Sequence, residues 1–334
     1  MFAGSRRRLD PPVARCYSVA ALSPPRPPTD AWVVVVNWNG AHLLGACLDA
    51  LARQSHPVHV VVVDNGSTDS SEKVVTERPG VDWCAVGENL GFAKGSNVGI
   101  RRALDGGARY VALVNTDVVV EPEWVERLVA DAEAHPEAGI FGGLLVFADD
   151  PGRVNSTGLV MDAFGRVRDR DFGVEVARLA REDGPALGVT GGAVLLRADA
   201  LRRVGLLDPA YFAYYEDADL CARARRAGIA CRYVAGARAA HGFGSTVGLG
   251  SPRQRYLLAR NHLRFIATHL PLWKALPMVI AVCAARIVVR APVELARGRT
   301  GHAASQVRAA VDGAVVAARA IFQRLFRPRS CSLV

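Results

Sequence analysis

From Trp32 onward the apolar residues come in blocks. WVVVV, VHVVVVD, DWCAV and RYVALV are short runs rich in β-branched and aromatic residues with no polar face, the pattern of strands buried on both sides. Residues 42–53, the stretch after Asp69 and the small-residue segment 92–104 lie between them and read as helices. Strands alternating with helices predict a parallel sheet covered on both faces over residues 32–120. Ligands on such sheets sit beyond the carboxyl ends of the strands. The polar clusters fall there: NWNG after the first strand, DNGSTD closing the second, and NTD after the fourth.

Residues 121–270 mix the two periods. GIFGGLLVF, TGGAVLLR and CRYVA are strand candidates, and helices are expected at 123–134, 198–204, 217–227 and 253–269. The charged stretch RVRDRDFGVEVARLAREDGP, residues 166–185, reads as a mobile loop or a partly helical insertion. Residues 1–31, with an Arg run at Arg6–Arg8 and then SPPRPP, read as a disordered basic leader without the apolar run of a signal peptide. Residues 271–334 are apolar segments punctuated by Lys274, Arg286, Arg290 and Arg297. Their longest uncharged run, 275–285, falls short of the roughly 20 residues that cross a bilayer, so helices lying in the membrane interface are expected.

Composition narrows the picture only a little. A chain of 334 residues with 50% hydrophobic content buries a full core, and 41 basic against 32 acidic residues give a formal charge of +9 that suits phosphates or anionic lipid. The arginines gather toward the termini and no aromatic-interleaved basic face appears, which argues against nucleic acid. Seven cysteines fall singly with no CxxC pair, suggesting neither a zinc ribbon nor a disulfide framework and fitting a reducing compartment.

Three acidic sites stand at predicted element ends. Asp64 closes a strand before the turn Gly66–Ser67–Thr68, and Asp69 suits a helix N-cap. A carboxylate there can cap a helix or accept the imide N–H of a pyrimidine base. Asp117, in NTD, sits on the tip of an apolar strand where it needs solvent, a hydrogen bond or a cation. Glu216, Asp217 and Asp219, in YYEDADL, head a helix, a position the helix dipole alone favours. Arg223 and Arg225, a turn later, read as a solvated face.

VVVVNWNG, DNGSTD, NLGFAKGSNVG, NTD, GLLDPAYFAYYEDADLCARARRAG and HGFGS, in this order over roughly residues 32–265, resemble the family-2 inverting glycosyltransferases of GT-A type, most closely their bacterial rhamnosyltransferase-like branch. The resemblance implies an α/β nucleotide-sugar-binding domain at 32–270, divided into a nucleotide half and an acceptor half, followed by amphipathic C-terminal helices. It implies that Asp64 contacts the base of a dTDP- or UDP-sugar, with Asn37, Asn65, Asn89, Gly91 and Asn115 on the donor side and Lys94 facing the diphosphate. Asp117 and His241 would hold a divalent cation, Mg2+ or Mn2+. Asn115 stands where relatives carry a first acid, so a single carboxylate remains for the metal. Asp217 matches the general base, with Asp219 and then Glu216 ranked behind it. The acceptor would be a glycan or lipid-linked hydroxyl, and the enzyme would work peripherally on the anionic inner face of the plasma membrane. A non-catalytic nucleotide-sugar-binding relative is the alternative, suggested by Asn115. A nucleotidyltransferase is disfavoured because NWNGAH is not a glycine-rich basic loop.

Overall fold

The computed structural model describes residues 15–18, 29–242 and 250–326. The chain runs through β1 (Arg15–Ser18), β2 (Ala31–Asn37), α1 (Ala41–Ala52), β3 (Val58–Asp64), α2 (Ser71–Thr76), β4 (Val81–Ala85), α3 (Phe92–Asp105) and β5 (Tyr110–Val114). After β6 (Val118–Val120), α4 (Trp124–Ala134), β7 (Ala138–Phe147) and β8 (Val154–Ser156) comes a hairpin, β9 (Leu159–Met161) and β10 (Val167–Asp169). Then follow β11 (Gly184–Ala186), β12 (Ala193–Arg197), α5 (Ala198–Val204), α6 (Glu216–Arg226) and β13 (Ala230–His241). The chain ends in α7 (Pro252–His269), α8 (Leu272–Ala285), α9 (Ala291–Ala296) and α10 (Thr300–Phe326).

One mixed sheet of 11 strands organises these elements, in the order β1-β4-β3-β2-β5-β12-β7-β13-β11, with β6 on β13 and β8 on β7. The β4-β3-β2-β5 ladders are parallel, as the unbroken valine runs require. β12 is antiparallel to both neighbours, β5 and β7, and β13 runs parallel to β7. The start of β12 and the ends of β2, β3, β5 and β13 therefore meet at one edge. Helices cover both faces: α1 and α4 pack over Val33, Val35 and Phe141, and α3, α5 and α6 over Val34, Ile140 and Leu196. α3 lies very close to the sheet at Gly99, where a Cβ would fall 2.2 Å from Val34.

Three expectations change here. Within the presumed leader, Arg15–Ser18 pairs antiparallel with β4, and the remainder of residues 1–28 lies outside the described residues. Cys84 is disulfide-bonded, against the reading of unpaired cysteines, and Cys16 stands opposite it in the strand register. The stretch 166–185 is not a mobile loop: it holds the second strand of the β9–β10 hairpin, the start of the edge strand β11 and, as its partly helical alternative has it, a 3-10 turn at Val176–Arg178. Its order comes from polar ties: Asp171 accepts two bonds from Arg181, and Arg170 donates to Thr157 Oγ1.

The C-terminal helices fold back on the domain. α10 packs on α7, where Ala317 and Ala320 cover Leu263 and Ala267, with Val279 and Val282 of α8 alongside. The helical run Leu272–Ala296 is 25 residues, long and apolar enough by length and composition to cross a membrane, so the estimate from uncharged runs fell short. Arg286, one of the cations that punctuate these segments, is buried and donates to Gln306 Oε1 at 2.9 Å. The other side is apolar and exposed: Trp273, Ile280 and Val288 on the α8–α9 run, Phe322 and Phe326 on α10.

Candidate active site

At the shared sheet edge lies a cleft of about 510 Å³. Trp38, Asn65, Asn115, Asp117, Gly191, Gly192 and His241 reach it from strand ends, Asn89 and Gly91 from the loop before α3, and Glu216 and Asp217 from α6.

The donor-side loops are tied by short polar side chains. Asn37 donates to Asp64 Oδ1 at 3.1 Å and to Ser67 Oγ at 3.0 Å, and the Ser67 N–H donates to Asp64 Oδ2 at 3.1 Å. Asn37 and Asp64 thus brace the two strand-end loops, and neither is among the residues lining the cleft. Asp69 accepts from the N–H groups of both Ala41 and Ser71, joining two helix starts. Asn65 fixes the next loop: its Oδ1 accepts from Leu90 N–H at 2.9 Å and its Nδ2 donates to Asn89 Oδ1 at 3.2 Å. Gly91 is required twice over, by a φ of +81° and by Phe212, whose ring a Cβ would meet at 2.5 Å. Lys94 is exposed and does not line the cleft, because the first turn of α3 points it outward. Two arginines line it instead, Arg168 of β10 and Arg253 of α7, the latter with its guanidinium 5.9 Å from the Trp38 ring and 5.6 Å from the Phe212 ring.

Asp117 and His241 come together where β5 and β13 end. His241 Nε2 is 3.4 Å from Asp117 Oδ1, and Nδ1 is 2.9 Å from Asn155 Oδ1. If Nδ1 carries the proton that Asn155 accepts, Nε2 keeps its lone pair, the form a cation ligand needs. A carboxylate oxygen and an imidazole nitrogen suit a divalent cation, and Asp117 and His241 would be the side chains that hold it. Among the described residues no cluster of three or more metal-ligating side chains occurs. Of the HGFGS motif, residues 243–245 lie outside the described residues.

Asp217 faces the cleft from the first turn of α6, its Oδ2 accepting the Gly191 N–H at 2.9 Å. A Cβ on Gly191 would lie 3.3 Å from that of Asp217, and one on Gly192 3.6 Å from the His241 ring. The two glycines therefore form the floor between Asp217 and the Asp117–His241 pair. Burial raises the Asp217 pKa. Glu216 is 5% exposed and lifted well above the carboxylate range, by burial and then by the Asp217 charge. Asp219 is not a second base. It is outside the cleft lining, buried between His269 Nε2 at 2.7 Å and Arg223 Nε at 2.7 Å. Burial pushes its pKa up, but the His269 hydrogen bond and the Arg223 charge outweigh this and hold it below 3.8. Arg223 is likewise no solvated residue, since it also donates to the Val204 and Leu206 carbonyls and so fastens α6 to the turn after α5.

The turn that delivers Asp217 is strained. Phe212, Tyr214 and Tyr215 have φ of 65°, 70° and 74°. Asn261 of α7, fully buried, donates through Nδ2 to the carbonyls of Tyr211, Ala213 and Tyr214 at 2.9, 2.8 and 2.8 Å. Sequence reading missed Asn261, Arg253 and Asp169, another cleft residue. A signal existed only for Arg253: a cation in a helix's first turn opposes the dipole and so asks for another reason to be there.

A mixed sheet with one antiparallel strand set among parallel ones, acids at its shared edge and helices on both faces, is the architecture of GT-A glycosyltransferases. The chain belongs to the glycosyltransferase-like family 2, which it matches over residues 27–265, and it is a glycosyltransferase. It is 29% identical over 231 residues to an N-acetylglucosaminyl-diphospho-decaprenol L-rhamnosyltransferase of Mycobacterium tuberculosis, covering 63% of this chain and 75% of that one. It is 22% identical over 262 residues to the dTDP-rhamnosyl transferase RfbF of Shigella flexneri, covering 75% of this chain and 85% of that protein. A mannosyltransferase of Pyrobaculum calidifontis, solved with GDP-Man and Mn2+, superimposes with a TM-score of 0.52 at 18% identity, over 88% of this chain and 91% of that one. GalNAc-T7, solved with UDP, GalNAc and Mn2+, gives a TM-score of 0.56 at 14% identity over 71% of this chain, which spans 47% of that one. These two likenesses concern the fold.

Proposed function

We propose that the enzyme transfers a sugar, L-rhamnose, with inversion from a dTDP- or UDP-sugar to a hydroxyl of a glycan or lipid-linked acceptor. The observation that carries this reading is the placing of Asp217 beyond Gly191–Gly192 from the Asp117–His241 pair. Inversion needs the acceptor hydroxyl to attack from the face opposite the departing diphosphate, with a base to take its proton as the bond forms. Asp217 is that base, and its burial raises its proton affinity. Asp117 and His241 hold a divalent cation, which when bound neutralises charge on the leaving diphosphate. Asn65, Asn89 and Gly91 shape the donor wall, and Asp64, tied to Asn37 and Ser67 behind it, holds the loops that receive the base. Arg253 takes the diphosphate-facing role first given to Lys94. The names of the two relatives support rhamnose, and those of the Shigella and Mycobacterium proteins support dTDP and a lipid-diphosphate acceptor respectively.

The test is nucleotide release by the purified chain from a panel of dTDP-, UDP- and GDP-sugars, with and without acceptor. Asp217→Asn keeps the shape and removes the basicity, so turnover should fall by about two to four orders of magnitude with donor affinity little changed. Near-normal turnover eliminates Asp217.

The same reading places the enzyme on the cytoplasmic face of the plasma membrane. Its support is the exposed apolar side of the C-terminal helices, whose other side packs on α7. Helices anchored sideways to a domain lie along a bilayer, with Lys274, Arg290 and Arg297 available to anionic headgroups.

A further inference from the structure

Asp169 has no part in the chemistry described so far. It ends β10, opposite Leu159, and lines the same cleft as Asp217 and His241. Burial lifts its pKa to about 6, the Ser156 hydroxyl opposing and the Asp217 charge adding, so it stands within electrostatic reach of the base. Its neighbour Asp171 is taken up by Arg181 and Thr157. Glu216, on the α6 side of the same cleft, has a buried oxygen, Oε2, with no hydrogen-bond partner. A buried carboxyl oxygen is costly to leave unpaired, which points to a ligand that supplies the partner. Phe212 and Tyr214 add aromatic surface to the same wall.

We propose that Asp169 and Glu216 form the acceptor subsite and bind a sugar through a free hydroxyl next to the one that Asp217 deprotonates. This rests on the transferase reading and adds to it a substrate class: a sugar residue with neighbouring free hydroxyls. Asp169 accepts a hydrogen bond from the neighbouring hydroxyl, and Glu216 bonds the same sugar through Oε2. The proton Asp217 removes stays with Asp217, so neither carboxyl of the subsite changes state in the transfer.

The experiment uses the full chain, the donor that gives most nucleotide release, and octyl β-glycosides of N-acetylglucosamine, glucose, galactose and mannose with their monodeoxy analogues. The wild-type enzyme should lose at least about tenfold in kcat/KM for the analogue lacking the neighbouring hydroxyl, since a site built around a hydroxyl rejects its absence. Asp169→Asn should raise the acceptor KM by about tenfold, raise the donor KM far less, and abolish discrimination against that analogue. Turnover without such discrimination in the wild type overturns the subsite alone. A donor KM that rises as much as the acceptor KM reassigns Asp169 to the donor side and also overturns it. Absence of nucleotide release from every donor and acceptor pair overturns the transferase reading, and the subsite with it.

Discussion

Replacing Asn261 by alanine should separate stability from substrate binding. The side chain has two N–H groups shared among three buried carbonyls, and its own oxygen accepts from Arg260 at 2.7 Å. Two net hydrogen bonds at about 1 kcal/mol each, plus the half-buried Ala213 and Tyr214 carbonyls left without this donor, put the cost at roughly 2–4 kcal/mol, Tyr211 O keeping the Ala213 N–H. The turn it holds carries three non-glycine residues at positive φ, each strained by about 1–3 kcal/mol and persisting only while the surroundings enforce it. Without the clamp the turn relaxes, and Asp217, two residues beyond Tyr215, moves off its place over Gly191. Urea unfolding followed by tryptophan fluorescence should show the stability loss, and kcat should fall at least about tenfold while donor KM stays nearly constant. Asn261→Asp is the sharper variant, because it keeps the shape but aims acceptor oxygens at acceptor carbonyls and should cost more than alanine. A loss below about 1 kcal/mol in Asn261→Ala, or wild-type turnover in Asn261→Asp, would refute the clamp.

Other outcomes follow from the same geometry. Asp117→Ala should weaken Mn2+ and donor binding together, with His241→Ala acting on the same step less severely, both read by titration calorimetry; full activity in excess chelator removes the cation from the reaction. Glu216→Gln should raise the unfolding midpoint more at pH 8 than at pH 5. A carboxyl whose folded pKa is raised contributes stability below its unfolded value of 4.5 and loses it as pH rises, and glutamine does not titrate. An increment independent of pH means that Glu216 is not the group responsible. Trp273→Ser, Ile280→Ser and Val288→Ser together should leave the fold intact and abolish sedimentation with phosphatidylserine vesicles; equal sedimentation of the triple variant and the wild type ends the membrane reading.

The donor half was legible because its signals are local. Valine runs mark strands that are buried on both faces, and predicted helix bounds fall within about two residues of α1, α3, α4, α5, α6 and α7. The hairpin at β9 and β10 was not legible, since its strands are three residues long and their apolar residues Leu159 and Val167 find their partners, Tyr211, Tyr215 and Phe265, far along the chain. Asp217 and Asp219 show the same limit. Two residues apart on a helix, they point about 200° from one another, so periodicity says that only one can face the cleft. Which one does is decided by His269 and Arg223 gripping Asp219. Lys94 and Arg253 both stand in the first turn of a helix, so that signal marks each of them, and only the gathering of Trp38 and Phe212 around the second tells them apart.

The antiparallel strand β12 bears on how such enzymes can be recombined. Its backbone is bonded to β5 on one side and to β7 on the other, so residues 32–120 and 121–270 share one continuous ladder with no hinge between them. Their spacing is then a rigid dimension of the sheet, and loops at the edge must supply any closure over substrate. Grafting another enzyme's second half at residue 121 would replace β12 while keeping β5, setting Val111, Leu113 and their neighbours against an unmatched strand. Chimaeras that respect the ladder would exchange the β9–β10 hairpin alone, which forms its own two-stranded sheet and carries Asp169 into the cleft.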